Sequence, residues 1–225
     1  MPNKLTASTV DKSDRGEEIE TLPLLYTAMS ETTANHYTWD DYQAWPDDQR
    51  FELINGEVFA MSPSPGVRHQ TLQLKLAACL DAHFAGNPCQ PFIAPLDLKL
   101  SHDTVVQPDL MVVCRPEQIR PTHIEGAPAL VIEILSASTR VHDRHVKMGI
   151  YARHGVPEVW LVTTEPGLIE IFQLDGLTYR FAASFTANEP LTTTTFPDLR
   201  IDLAALFQGS SVPFPPLRCV KETAE

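Results

Sequence analysis

The sequence has no uninterrupted apolar run of the length, about 18 residues, that suggests a membrane-spanning helix. Its first residues also lack the basic start, apolar core and small-residue cleavage site that together make a secretory signal. These two absences predict a cytoplasmic protein that does not use a membrane as its partner.

Cysteine is scarce, and the four cysteines present, Cys79, Cys89, Cys114 and Cys219, form no CxxC pair. Without that spacing, neither a zinc ribbon nor a thiol redox motif is indicated. Because thiols stay reduced in the cytoplasm, we expect structural cysteines rather than disulfides.

Positive charge is also in short supply, since 17 Lys and Arg face 29 Asp and Glu, for a net charge of −12. General nucleic-acid-binding proteins usually carry a basic surface, because contacts with phosphates dominate their affinity for nucleic acid. One exception is residues 139–154, where four Lys or Arg stand against a single acid. This strip predicts local contact with a phosphate backbone through Arg140 and Arg144, one helical turn apart.

The chain divides into three parts by composition. Residues 1–35 are polar and weakly periodic, which predicts a disordered extension. Residues 36–207 carry the periodic apolar pattern of one folded domain, and residues 208–225 form a tail that contains a Pro-rich stretch.

Local patterns predict an α/β or α+β domain around a mixed sheet. Helical spacing is seen in the aromatic residues after Thr38, in the apolar residues from His69 to Phe84, and in the basic segment 140–154. Asn55-Gly56 and Asp175-Gly176 are typical of two-residue hairpin turns. Strand-like runs cover residues 92–100, 105–113, 129–135 and 158–164.

In two of these runs a single internal carboxylate interrupts a stretch that otherwise reads as a buried strand: Asp109 lies in 105–113 and Glu133 lies in 129–135. A buried carboxylate costs several kcal/mol unless a partner, a proton or a metal compensates it. Because Mg²⁺ and Mn²⁺ take oxygen ligands, we interpret the pair as a divalent-metal site, with the carbonyl of Ile134 as a third ligand. The alternatives are a solvated Asp109 at a strand edge and a buried ion pair at Glu133.

Three further residues are candidates for catalysis. A lysine near the attacking water can orient it or offset charge in the transition state, and Lys147 in the basic segment suits this task. Glu57 follows the Asn55-Gly56 turn, and His69 follows a Pro/Gly loop. The alternatives are an i, i+4 pair of Lys147 with Asp143, an exposed cross-strand position for Glu57, and helix capping or solvent exposure for His69.

Taken together, several short motifs between about residues 37 and 207 resemble the Uma-two family, a family of restriction-endonuclease-like proteins in the PD-(D/E)XK nuclease superfamily. The motifs are Glu52-Leu53-Ile54-Asn55-Gly56-Glu57; Met61-Ser62-Pro63 with His69; Pro108-Asp109; Val131-Ile132-Glu133-Ile134-Leu135-Ser136 with Ser138-Thr139-Arg140; Asp143, Lys147 and Tyr151; and Gly155-Val156-Pro157-Glu158-Val159-Trp160-Leu161-Val162.

The resemblance implies a restriction-endonuclease-like fold, in which helices flank a mixed central sheet and an N-terminal helix and hairpin come first. It also implies that Asp109 fills the PD position and Glu133 the (D/E) position. The lysine expected two residues after that acid is missing, because position 135 is Leu. Lys147 is the candidate to supply it from the following helix, and Lys99 is the first substitute.

The expected function is therefore a divalent-metal-dependent DNA endonuclease that hydrolyses phosphodiester bonds with Mg²⁺ or Mn²⁺. Duplex DNA is the expected partner, and the sequence leaves open whether the protein forms a homodimer. Two alternatives stand beside it. One is a catalytically weak binding or accessory module that keeps the fold, and the other is a metal hydrolase of small phosphoesters, which the net charge tolerates better.

Overall fold

The computed structural model describes residues 35–46, 50–61, 65–135 and 146–208. These residues form two mixed β-sheets flanked by helices, which confirms the predicted fold class but divides the strands between two sheets instead of one. Among the described helices, none combines the length and the apolar character that spanning a bilayer requires.

The helices and strands follow in chain order. The helices are α1 (Trp39–Gln43), α2 (Val67–Phe84), α3 (Met148–Arg153) and α4 (Leu203–Phe207), with a 3₁₀ turn at Pro116–Gln118. The strands are β1 (Phe51–Ile54), β2 (Glu57–Ala60), β3 (Gln90–Ile93), β4 (Asp97–Ser101), β5 (Thr104–Val106), β6 (Leu110–Val113), β7 (His123–Glu125), β8 (Leu130–Leu135), β9 (Glu158–Thr163), β10 (Leu168–Asp175) and β11 (Thr178–Thr186).

The two sheets share one long, bent antiparallel ribbon. The five-stranded sheet has the order β2-β1-β5-β4-β7, and the six-stranded sheet has the order β11-β10-β9-β8-β6-β3. Strands β3 and β6 pair in the six-stranded sheet, and β4 and β5 pair in the five-stranded sheet. The ribbon therefore consists of β3 followed by β4 and of β5 followed by β6, and each of its two strands crosses from one sheet to the other. Strands β8 and β9 are parallel, whereas β6 and β8 are antiparallel.

The predicted strands 92–100 and 105–113 are each wrong as single strands, since each breaks where the ribbon changes sheet. Pro95 and Pro108 lie at these breaks, and proline has no N–H for a strand ladder. Asp109 therefore lies in the connection just before β6 and not inside a strand.

The six-stranded sheet carries a core on each face. Ile132 and Ile134 of β8 pack with Leu72 and Leu76 of α2 on one face. Their neighbours Val131 and Leu135 pack with residues of α3 on the other face. Because strand side chains alternate, Glu133 shares the face of Val131 and Leu135, and its carboxylate points toward α3.

The predicted turns and helix boundaries are largely confirmed. The hairpin of β1 and β2 turns at Asn55 and Gly56, whose φ angles are 50° and 79°. Helix α2 begins at Val67 instead of His69 and ends at Phe84 as predicted. Of the predicted basic helix 140–154, residues 140–145 lie outside the described residues, and α3 forms its last part before Gly155, whose φ is 78°.

The expectation of reduced cysteines is wrong for Cys89 and Cys114, which form a disulfide. The register of β3 and β6 pairs Gln90 with Val113, so the two cysteines lie opposite each other just beyond the paired residues. A cross-strand pair of this kind needs no CxxC spacing, which is why the sequence pattern missed it. Cys79 is buried.

A second carboxylate, Glu158 at the start of β9, is fully buried. It accepts hydrogen bonds from the indole N–H of Trp160 at 2.7 Å and from the hydroxyls of Thr193 and Thr195 at 2.6 Å. The Thr193 hydroxyl also lies 2.7 Å from the other carboxylate oxygen. Through these hydrogen bonds, Glu158 holds the segment before α4 against the six-stranded sheet.

Candidate active site

Glu133 lies in the middle of β8 and is only 3% exposed. The Tyr151 hydroxyl of α3 donates a hydrogen bond to Glu133 Oε1 at 2.6 Å. The Lys147 ammonium, at the N-terminal boundary of α3, lies 3.3 Å from the same oxygen. The fold therefore brings Glu133 and Lys147 together, as the sequence predicts.

Lys147 also contacts Glu52 of β1, a residue outside the predicted site. The Lys147 ammonium lies 2.9 Å from Glu52 Oε1, and both side chains are about 95% buried. The backbone N–H of Gln107 donates to the same oxygen at 3.0 Å. Glu52 thus connects the five-stranded sheet to the lysine and to the connection that carries Asp109.

A sequence signal for Glu52 did exist. It stands as a single acid between Phe51 and Leu53 in a strand, which is the pattern that selected Glu133. The adjacent Asn55-Gly56 turn indicates a hairpin but not which of its strands is buried, and the strand that carries Glu52 is the buried one.

Asp109 is held in place by both a strand and a helix. Its Oδ2 accepts the backbone N–H of Ile134 at 2.7 Å and lies 3.1 Å from Nε2 of His69. The Gln73 side chain of α2 donates to its carbonyl at 2.9 Å. If the β6–β8 register is extended by one residue, Asp109 falls opposite Glu133.

His69 lies in the first turn of α2 and is 9% exposed. Its Nδ1 is buried and has no hydrogen-bond partner among the described residues. The contact through Nε2 orients the Asp109 carboxylate.

Other predicted residues lie elsewhere. Glu57 is exposed at the start of β2, where it pairs with Ile54, and none of the described contacts joins it to the acids or to Lys147. Lys99 lies on β4 with its ammonium 3.0 Å from Glu125 and 5.4 Å from the centre of the Trp39 ring. Arg140 and Arg144 lie outside the described residues.

The oxygen-rich donors around β8 have the chemistry that a hard divalent cation requires. The two described contacts of the Asp109 carboxylate both go to Oδ2, so that Oδ1 has no donor among the described residues. The side chain is 21% exposed, which gives an ion a path to this oxygen. The donor set therefore fits Mg²⁺ or Mn²⁺ better than a softer metal.

A family model and two known proteins match this chain. The family model Uma2, described as "Putative restriction endonuclease", matches residues 39–204. An uncharacterized protein of Synechocystis, slr1290, is 28% identical over 130 residues, which cover 56% of this chain and 67% of that protein.

A solved structure has the same fold. It is described as a "putative nuclease belonging to DUF820" from Anabaena variabilis, and it superposes with a TM-score of 0.61 at 20% identity. The match covers 76% of this chain and 97% of that one. Because the family model matches most of its length, the chain belongs to the Uma2 family of restriction-endonuclease-like proteins.

Proposed function

We propose that this protein is a divalent-metal-dependent DNA endonuclease. The proposal depends on one observation: the side chains of Lys147 and Asp109 contact the consecutive β8 residues Glu133 and Ile134. The Lys147 ammonium lies 3.3 Å from Glu133, and the next amide, that of Ile134, donates to Asp109 at 2.7 Å. Metal-assisted hydrolysis needs oxygen ligands for the ion, which the two acids offer, and it gains from a cation that offsets developing charge, which the lysine offers.

In this proposal, Asp109 and Glu133 hold Mg²⁺ or Mn²⁺ together with the carbonyl of Ile134. When bound, the ion polarises the scissile phosphate and lowers the pKa of a coordinated water. His69 and the Ile134 amide fix the rotamer of the Asp109 carboxylate through Oδ2, so that Oδ1 would be the oxygen available to the ion. Orienting groups of this kind typically change metal affinity by about 10- to 100-fold.

Lys147 acts on the water and on the phosphate rather than on the metal. Its ammonium offsets the charge that develops on the phosphoryl oxygens, and it does so from a site shielded from bulk water. Glu52 and Tyr151 keep the lysine and Glu133 in position, with contacts of 2.9 Å and 2.6 Å respectively. Neither Glu52 nor Tyr151 needs to touch the substrate.

The substrate is expected to be duplex DNA, approached through Arg140 and Arg144. With a net charge of −12, long-range attraction to DNA is absent, so that binding relies on a short-range patch and the bound cation. Affinity should then fall only shallowly with salt, as expected for few phosphate contacts. Measuring binding to duplex DNA in Ca²⁺ over a salt series tests this, and a steep slope contradicts it.

Incubation with supercoiled plasmid in Mg²⁺ or Mn²⁺ tests the activity itself. Nicking that EDTA and Glu133→Ala abolish, and that Glu158→Gln retains, supports the endonuclease. Hydrolysis of bis(p-nitrophenyl) phosphate without plasmid cleavage supports the small-phosphoester hydrolase instead. Binding of DNA with no hydrolysis of either substrate supports the accessory module.

A further inference from the structure

A second constellation of metal-ligating side chains lies away from the candidate active site. His36 precedes α1, and His102 and Asp103 form the turn between β4 and β5. One ligand atom from each of the three lies within 4.8 Å of the others, and among the described residues no other His, Cys, Asp or Glu trio meets this criterion. We propose that these three residues bind a transition-metal ion, with zinc as the best-fitting one.

The distances support a shared ion. His36 Nε2 lies 3.3 Å from Asp103 Oδ2, and His102 Nδ1 lies 3.8 Å from Asp103 Oδ1. Two ligand atoms on a tetrahedral zinc, each about 2.0–2.2 Å from the metal, are themselves roughly 3.3 Å apart. The first pair already has this spacing, and the second reaches it with a small rotation of an exposed ring.

The donor types select the metal. Two imidazole nitrogens and one carboxylate suit zinc, copper or nickel, whereas Mg²⁺ prefers oxygen ligands throughout. Three protein ligands leave the fourth position of a zinc ion to water. The histidine side chains are 57% and 74% exposed, so a hydrated ion reaches them directly from solvent.

The backbone holds the ligands in place before any ion binds. Tyr37 N–H donates to Gly56 O at 2.9 Å, Gly56 N–H donates to Asp103 O at 2.8 Å, and Trp39 N–H donates to His102 O at 2.6 Å. These three bonds join the segment before α1, the β1–β2 turn and the β4–β5 turn. The ligands of a structural metal are usually fixed in this way by their surroundings.

Side chains add to this arrangement. The Ser101 hydroxyl donates to Asp103 Oδ1 at 2.6 Å and orients the carboxylate. The His36 ring lies against Gly56 so closely that a Cβ there would overlap it. The bound ion would therefore clamp the start of the domain onto both turns, independently of the acids on the six-stranded sheet.

Zinc titration of the full-length, untagged protein tests the site. An Asp109→Asn, Glu133→Gln background removes the candidate active-site acids as competing ligands. In this background we expect one equivalent of Zn²⁺ to bind and to raise the melting temperature, since a ligand of the folded state stabilises it. Co²⁺ should give the visible d–d absorption of a four-coordinate site.

His102→Ala and Asp103→Asn, added to the same background, should each weaken Zn²⁺ binding by at least about tenfold and remove the Co²⁺ absorption. His102 is exposed at the surface, so its removal leaves the fold intact. His123→Ala is the matched control and should keep both signals. Absence of zinc binding in the background protein, or equal affinity in His102→Ala, overturns the proposal and leaves the cluster as hydrogen-bonded histidines.

Discussion

Two glutamates are buried on adjacent strands of the six-stranded sheet, but their partners differ in charge. Glu133 on β8 contacts the Lys147 ammonium and the Tyr151 hydroxyl. Glu158 on β9 is surrounded by neutral donors, namely the Trp160 indole and two threonine hydroxyls. Burial of a carboxylate in a strand therefore does not by itself identify a functional residue.

The difference lies in how the acceptor sites are used. A carboxylate has about four lone-pair sites. Contacts of 2.6–2.7 Å from Trp160, Thr193 and Thr195 use both oxygens of Glu158, which could bind an ion only by breaking them. Glu133 instead lies beside the lysine and next to the residue whose amide holds Asp109. We infer that Glu158 serves the fold and Glu133 the chemistry.

The largest expected effect is that of the substitution Glu133→Gln on catalysis. This change keeps the shape but removes the ionised ligand, so metal-dependent plasmid nicking should fall by at least about 10²-fold. Glu158→Gln should keep the rate per folded molecule. Initial rates at saturating Mg²⁺, with circular dichroism to measure the folded fraction, test the contrast. An equal fall in both variants would remove the distinction between the two glutamates.

The next largest effect is expected for Lys147→Met. Loss of a group that acts on water or phosphate should lower turnover by about 10²-fold. Ca²⁺ affinity, measured by calorimetry, should not fall, because the ammonium does not bind the ion.

The same variant has a cost in stability. Breaking a buried ion pair costs about 3–5 kcal/mol, so the rate must be corrected for the folded fraction from urea unfolding. Glu52→Gln is the matched control, because it perturbs the same contact with the lysine still present. A rate unchanged after this correction would transfer the lysine's task to another residue.

A smaller effect, on stability alone, is expected for Glu158→Gln. The amide group cannot accept all of the hydroxyl and indole hydrogens, so the free energy of unfolding should fall by about 1–3 kcal/mol. For a domain of this size, the melting temperature should fall by about 2–4 °C per kcal/mol. Thr193→Val, which removes one donor from the same carboxylate, should give a smaller loss. No change in either melting temperature would contradict this structural assignment.

The smallest effect is expected for Lys99→Met, where the Lys–Glu pair is near the surface. Hydrogen bonds from Lys99 and Arg120 lower the pKa of Glu125, so the pair stabilises the fold above the ordinary pKa of 4.5. That contribution is lost as the pH falls through the lowered pKa of the folded state. Because solvent screens the pair, the loss at pH 7 should be below about 1 kcal/mol.

Thermal unfolding of wild type and Lys99→Met between pH 7 and pH 3 measures this dependence. The two melting temperatures should converge at the acid end. Plasmid nicking by Lys99→Met should match the wild type, which also makes it a control for Lys147→Met. A loss of nicking would make Lys99 the catalytic lysine.

Local signals predicted much of the fold. The Asn55-Gly56 turn, the α2 helix and the β8 and β9 strands follow from turn chemistry and apolar periodicity. The division into two sheets could not be read in this way, because it depends on how β3 to β6 bend and pair across the ribbon. The Cys89–Cys114 disulfide follows from the same pairing.

Residues of the candidate site could be predicted where a charged side chain interrupts a stretch whose apolar neighbours indicate burial. Glu133 stood out because it interrupts an apolar strand, and Lys147 because a lysine was missing at position 135. Glu52 carries the same signal, but a hairpin sequence does not tell which of its strands is buried, and the predicted residue of this hairpin, Glu57, is exposed. The clamp of His69 on Asp109 joins residues distant in the chain, so it could be found only in the fold.

The hydrogen bond from the Ile134 amide to Asp109 has a consequence for amide exchange. Most strand amides are protected by a neighbouring strand, but this one is protected by a side chain at 2.7 Å. Exchange at Ile134 therefore depends on the motion of one carboxylate, whereas exchange at Ile132 depends on opening of the sheet. A cation that immobilises Asp109 should slow deuterium uptake at Ile134 selectively, which makes this amide a built-in reporter of occupancy that needs neither substrate nor turnover.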